Sequence, residues 1–465
     1  MEKSRYTRLL NNSFLFAIGN LGSKLITFFM IPILTAKLTT QEYGAVDLVM
    51  ITVSLLLPVI SLSIYEAVLR FGMDSNYDKN KILTNALVLV FYSNLFLLLI
   101  LPFLIWAKIN FGVLIILILF SQNFQTLFSQ YAKAANEISI FAKNGIYLTL
   151  LTAAFTCLSL FMLNQTTEGY LWSVFLATMF SNFWLVWKLK LLSQIKFELF
   201  DIAFLRKMAH YSIPLIPNSI ALWINNVANR YFILFFIGSA ANGIYAIANK
   251  IPTLIGIINT IFFQAWQMSV IEEYQKKDRD AFYSKTFAYY SRFLSVGVSI
   301  LLILLRPMMN MIVSPAFASS WQYVPLLLLS VMYASFSGFF GQYYIASKET
   351  EKVFGTTVIG AVLNVLLNII FIPTFSLNGT GISSVISFFV LWILRVKDTQ
   401  RLIKTKLDLR YFVMSHCLLF LQIFFLYYFM DEQKLAIAFQ LPLVGGMLLS
   451  NTRVIVDMVK TRQHS

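Results

Sequence analysis

Long apolar runs, interrupted by short clusters of charge, glycine, proline or asparagine, set the pattern of this chain. A bilayer core takes about 20 apolar residues per helical crossing, so runs of this length read as membrane spans. They predict about fourteen helices, near residues 12–36, 44–69, 82–106, 112–132, 141–163, 169–187, 208–237, 241–268, 286–312, 321–346, 353–373, 379–396, 409–430 and 435–456. The expected fold is an all-α integral membrane protein. Its parts are two parallel, pseudo-symmetric six-helix lobes, at 1–200 and 208–400, with two additional C-terminal helices at 408–456.

The two lobes rest on an internal repeat. Gln130-Tyr131-x-x-Ala134-x-x-Glu137 recurs as Gln342-Tyr343-x-x-Ala346-x-x-Glu349, and Gly44 and Gly169 align with Gly243 and Gly379. The repeated segment closes the fourth and the tenth expected helices. An even number of helices separates the copies, so they face the same side and the halves relate by an axis along the membrane normal.

Composition agrees with this frame. Hydrophobic residues make up 58% of the chain and charged ones 12%, against about a quarter charged in a globular average. That excludes a water-soluble fold. The apolar run behind Lys3, Arg5 and Arg8 is too long for a signal-peptide core, so it reads as a retained first helix. Cys157 and Cys417 lie in apolar runs, which argues against a disulfide framework.

Charge placement fixes an expected orientation. With the N-terminus inside, the outer connections and the helix ends beside them hold Lys37, Lys108, Arg306 and Lys434, and Lys24, Arg230 and Lys250 remain inside helices. All other members of the 36 Lys and Arg residues fall in inner connections, the helix ends beside them and the tails, as the positive-inside rule requires. Both termini are therefore expected inside. The net charge of +15 is topology plus attraction to anionic lipid of the bilayer. It is dispersed over loops, so no nucleic-acid partner is implied.

Ionisable groups at membrane depth cost roughly 2.5–3.5 kcal/mol each and read as functional by default. Lys24, Arg230 and Lys250 are expected to line a central cavity and to bind a diphosphate or similar anion; the alternative is that Lys24 pairs with Asp47 and that Lys250 or Arg230 caps a helix end or snorkels outward. Asn218, Asn225 and Asn229 share one face of the seventh helix, and Asn20 and Thr27 accompany Lys24 on the first. These five are expected to line a hydrated lumen, with interhelical hydrogen bonding as the alternative. Glu66 and Asp47 are candidates for ion coupling; Glu66 also has Arg70 one turn away. Glu137 and Glu349 are candidates for a cytoplasmic hinge or latch, or for solvated loop charge. His210, His416 and His464 lie far apart. No catalytic or metal-binding constellation and no cofactor is expected.

Basic residues followed by asparagine at the N-terminus, the helix pattern, and Leu38-Thr39-Thr40-Gln41-Glu42-Tyr43-Gly44 after the first helix resemble the bacterial polysaccharide transporters. These are Wzx-type flippases of the multidrug/oligosaccharidyl-lipid/polysaccharide (MOP) exporter superfamily, whose fold is MATE-like. The resemblance implies translocation of an undecaprenyl-diphosphate-linked oligosaccharide across the bacterial cytoplasmic membrane, for O-antigen, capsule or exopolysaccharide assembly. Alternating access through a cationic central cavity is the implied route. H+ or Na+ is the coupling ion left open, and polysaccharide polymerase and assembly proteins are the expected protein partners. A multidrug exporter of the same superfamily is one alternative, and a membrane glycosyltransferase or polysaccharide polymerase is another.

Overall fold

The computed structural model describes residues 22–74, 76–347 and 349–451. Helices dominate, and no strand occurs among the described residues. By contact these residues form two compact units, one running to Val227 and the other beginning at Ala228.

Unit 1 opens with α1 (22–37), α2 (Thr40–Ile60), α3 (Ile64–Gly72) and α4 (Lys79–Trp106). It continues through α5 (Gly112–Ala134), α6 (Ile138–Cys157), whose end runs into a π-helical turn at Leu158–Met162, and α7 (Thr167–Lys188). The short α8 (Leu191–Gln194), α9 (Ile202–Ser212) and α10 (Leu215–Val227) complete it. Its core has two layers. Ile64, Val68, Leu83, Val90, Leu127 and Leu185 pack around α5 at one end, and Val53, Leu97, Ile118, Leu119 and Leu171 pack around it at the other.

Unit 2 comprises α11 (Asn229–Phe236), α12 (Ser239–Ala248), α13 (Lys250–Glu273), α14 (Arg279–Ile312) and α15 (Val324–Ala346). After these come α16 (Thr350–Phe375), α17 (Leu377–Thr399), α18 (Leu409–Tyr428) and α19 (Gln433–Leu449). Here α15 is central and an aromatic stack supports it: Phe262 lies 4.1 Å from Tyr290, and Trp266 lies 4.4 Å from Phe339, between ring centroids.

Among the described residues ten helices are long and apolar enough to cross a membrane, or eleven if the pair α12–α13, bent by 45°, counts as one. Large apolar side chains such as Phe91, Leu99, Trp106, Phe183 and Met311 stay exposed on them. In water such a surface would be unfavourable; in lipid it is the expected solvent contact. The first expected span is described only from residue 22, and the last is the shorter Gln433–Leu449.

Three expected helices are broken, among them 241–268, which bends by 45° between α12 and α13. The run 44–69 starts earlier, at Thr40, and stops at Ile60, because Pro58 lacks an amide proton and Leu62 and Ser63 turn left-handed (φ 48° and 50°) before α3 begins. The run 208–237 becomes α9, α10 and α11. Pro214 has no amide proton to continue the ladder of α9, although Ile213 before it keeps helical φ/ψ of −56°/−43°, and a second turn falls at Ala228.

The repeat is legible in the coordinates. Helices α5 and α15 each span 23 residues and end just after the repeated Gln-Tyr pair. Glu137 and Glu349 then N-cap α6 and α16 with nearly the same backbone, φ/ψ −90°/55° and −96°/51°. In each copy the glutamate amide donates five residues back, to Ala132 and to Tyr344, at 2.8 Å. The tyrosines also match: Tyr131 donates to Gln194 beyond α7, and Tyr343 pairs with Thr405 beyond α17 at 3.0 Å. Each repeated tyrosine thus ties the helix that carries it, α5 or α15, to the segment that leaves α7 or α17.

Candidate functional site

In unit 2, α12 separates two cations. Arg230 is the second residue of α11, half-buried, with its guanidinium over the Tyr245 ring at 5.6 Å. Lys250 is the first residue of α13, half-buried, at the bend that follows Asn249. Tyr245 touches both ends of this arrangement. Its hydroxyl accepts from Asn229 Nδ2 at 3.4 Å, and its carbonyl accepts from the Asn249 backbone amide at 3.0 Å. The stretch from Asp201 to Glu272 contains no Asp or Glu between them. Two positive charges therefore sit in an apolar segment that brings no carboxylate of its own, an environment that favours an anion.

Asn229, expected on a lumen face, is instead only 4% exposed, and its amide is held inside unit 2. Its Nδ2 donates to Ser384 Oγ at 3.0 Å, and its Oδ1 accepts from Asn368 Nδ2 at 2.8 Å. The same Asn368 nitrogen also donates to Asn364 Oδ1 at 2.8 Å. The network joins α11, α16 and α17. Asn218 is exposed on α10, and the break at Ala228 separates it from Asn229, so the expected single-helix stripe is not continuous. The side chain of Asn225 and all of Asn20 lie outside the described residues.

In unit 1, Lys24 and Thr27 are exposed on α1, one turn apart. Asp47 is half-buried on α2, while Glu66 sits in the first turn of α3 and within electrostatic range of Lys133. The break between α2 and α3 puts the two acids on different helices. The Thr39-x-x-Glu42 motif is a capping box: Thr39 amide donates to Glu42 Oε2 at 2.8 Å, and Glu42 amide donates to Thr39 Oγ1 at 3.2 Å. Its chemistry starts a helix.

Glu349 is engaged within unit 2. Arg401 grips both of its carboxylate oxygens, Nη1 reaching Oε1 at 2.9 Å, and Lys352 and Asp398 extend the cluster. The Arg401 hydrogen bonds hold the Glu349 carboxyl below its ordinary pKa. Glu137, its counterpart, is exposed.

Arg395, counted from sequence among the inner-face charges, is 7% exposed on α17. Its guanidinium donates to Thr356 Oγ1 (3.1 Å), Thr357 Oγ1 (2.9 Å) and the carbonyls of Ser337 (3.1 Å) and Val353 (3.4 Å). Gly341 makes room for it: a Cβ there would meet Arg395 Nη1 at 2.9 Å.

Residues 9–267 match the model of a family described as polysaccharide biosynthesis protein. The match covers more than half of the chain. The chain belongs to the polysaccharide biosynthesis protein family. Solved structures carry the fold of this family member over nearly its whole length. A lipid II flippase, MurJ, in an inward closed conformation is 12% identical, with a TM-score of 0.69 over 95% of this chain and all of the other. A multidrug resistance MATE family transporter of the MOP superfamily, inward-facing, is 13% identical, with a TM-score of 0.67 over 84% of this chain and 96% of its own. A MATE transporter in complex with MaL6 is 14% identical, with a TM-score of 0.62. At these identities the likeness establishes the fold. No curated protein sequence matches the chain. The polysaccharide family member is thus a multi-pass membrane protein with the architecture of MOP-superfamily transporters.

Proposed function

We propose that this protein is a flippase that carries undecaprenyl-diphosphate-linked oligosaccharide repeat units across the bacterial cytoplasmic membrane for surface polysaccharide assembly. The observation that carries the reading is the pair Arg230 and Lys250, half-buried on either side of α12 in a segment without carboxylates. A diphosphate answers both charges, and Arg presents it a planar fork. In unit 1, Lys24 is an exposed cation of its own on α1. Family membership supports a polysaccharide precursor as cargo, and the shared fold supports transport by alternating exposure to the two membrane faces. The lipid tail stays in the bilayer throughout, so only the diphosphate and sugars need a polar route.

The sequence contains no Gly-x-x-x-x-Gly-Lys-Ser/Thr nucleotide loop. Energy in this reading comes from an H+ or Na+ gradient, with Glu66 and Asp47 as the acids that respond, or from consumption of the product by a polymerase. The test is a proteoliposome assay with a polyprenyl-diphosphate oligosaccharide. Arg230→Ala with Lys250→Ala abolishes its translocation while the protein remains inserted. Normal translocation by that double variant eliminates the anion site. Efflux of an organic cation without glycan movement overturns the function in favour of a multidrug exporter.

A further inference from the structure

Unit 1 contains a cavity of its own, about 240 Å³ in volume, walled by α1, α2, α5, α6 and α7. Its polar lining is Thr27, Gln122, Thr149, Thr152, Thr156 and Thr178, and no charged residue lines it among the described residues. At about 30 Å³ per water this is space for roughly eight waters. It lies below the ~300–1,000 Å³ of pockets for drug-sized ligands, so one small ring fits and an oligosaccharide does not.

The hydrogen-bonding state of the threonines selects the ligand. Thr27 donates to Ser23 O at 2.9 Å, Thr149 to Gly145 O and Thr152 to Leu148 O at 2.8 Å, and Thr178 to Val174 O at 2.7 Å. A hydroxyl has one proton and two lone pairs, so each of these oxygens is left as an acceptor. Thr156 Oγ1 is fully buried and has no partner among the described residues. Thr149, Thr152 and Thr156 recur at three and four residues, one face of α6. Just beyond them α6 passes into its π-helical turn, an irregularity frequent at functional sites. The cavity is therefore neutral and rich in acceptors, with the Thr156 hydroxyl and the Gln122 amide also able to donate, beside the ring of Tyr170. Its complement is a neutral molecule with several hydroxyl donors and an apolar C–H face.

We propose that this cavity is a subsite for one neutral pyranose ring of the transported glycan, its hydroxyls donating to the threonine oxygens. The proposal rests on the flippase reading above and deepens it. Lys24, one turn before Thr27 on α1, sets a cation for the diphosphate beside the ring.

Saturation-transfer-difference NMR on the full chain in phosphatidylcholine nanodiscs, with methyl glucoside and methyl N-acetylglucosaminide as probes, tests it. The variant Thr149→Val, Thr152→Val, Thr156→Val keeps the side-chain shape and removes the acceptors; the matching serine variant keeps them. Glycoside binding is expected in the parent and the serine variant, and weakened about tenfold or more in the valine variant. Absence of binding in the parent, equal binding in the valine variant, or displacement of the glycoside by sodium chloride overturns the proposal, the last by showing a cation site. In proteoliposomes the valine variant is expected to slow glycan translocation about tenfold. Normal translocation by it removes the subsite and leaves the flippase reading standing. A parent that moves no lipid-linked glycan removes the flippase reading, and glycoside binding then decides the cavity separately.

Discussion

Gly379→Ala tests whether the repeated glycines are contacts between helices. Gly379 lies in the first turn of α17, immediately after the left-handed Ser376 (φ 53°), where the chain folds back on α16. A Cβ on Gly379 would fall against the carbonyl oxygen of Phe371 and 2.7 Å from the backbone nitrogen of Ile372. Ordinary contact begins at 3.4 Å, and the obstacle is backbone, so no rotamer change relieves it. The ends of α16 and α17 must move apart. Overpacking of this kind costs typically 1–3 kcal/mol, and alanine in a helix returns about 0.5–1 kcal/mol over glycine. With a backbone obstacle the cost lies in the upper part of that range, and a net loss of up to about 2.5 kcal/mol remains. Gly355→Ala is the internal control: it lies on α16 with nothing within 4 Å of its Cβ, so only the propensity gain applies. Thermal unfolding of detergent-purified protein, followed by the monodisperse size-exclusion peak of a fluorescent fusion, should show the midpoint falling for Gly379→Ala and rising slightly for Gly355→Ala. A Gly379→Ala midpoint at or above the parent refutes the reasoning. Gly169→Ala should fall too, since its Cβ would meet Ser159 Oγ and lie 2.5 Å from Gln165 Cβ.

Arg395→Ala removes a charged side chain bonded to α15 and α16 and should lower stability by about 3 kcal/mol or more, with Arg395→Met recovering part because its longer side chain fills space that alanine leaves empty; the same thermal assay reads both. Asn368→Leu leaves the oxygens of Asn229 and Asn364 without their donor inside unit 2, and is expected to cost about 1–3 kcal/mol per stranded group. Thr39→Ala breaks the capping box of α2 and should cost about 1 kcal/mol, measurable by the same midpoint shift. The pH dependence follows from Glu349, whose pKa in the folded chain is held below its ordinary 4.5 by Arg401. A depressed carboxyl contributes stability above its unfolded pKa and loses it as pH falls through the lower folded value. Thermal midpoints should therefore decline below pH 4.5 in the parent, and Arg401→Ala should flatten that part of the decline.

Periodicity made the helices legible because lipid exposure writes a long apolar run for every span, whatever the packing partners are. The repeated Gln-Tyr-x-x-Ala-x-x-Glu segment was legible for a different reason: the same turn, the same five-residue amide bond and the same tyrosine tie require the same residues in both units. Helix breaks were harder to read. Pro58 and Pro214 are visible, yet only the left-handed turn at Leu62 and Ser63 and the bend after Asn249 convert kinks into separate helices. The threonines of α6 carried a signal in their three-and-four spacing. Asn364 and Asn368, four residues apart on α16, carried one too.

From the sequence alone came the membrane class, the two-fold repetition, the family resemblance and the presence of cations within apolar runs, because each follows from composition and local spacing. Tertiary structure decided which polar groups are already consumed. Asn229 looked available on a helical wheel but is held by Ser384 and Asn368, and Arg395 looked like an inner-face charge but is buried. The threonines of α6 looked like ordinary span residues and instead line a cavity as acceptors. Whether a hydroxyl, amide or guanidinium remains open to a ligand depends on the partners that other helices bring to it, and those lie far away along the chain.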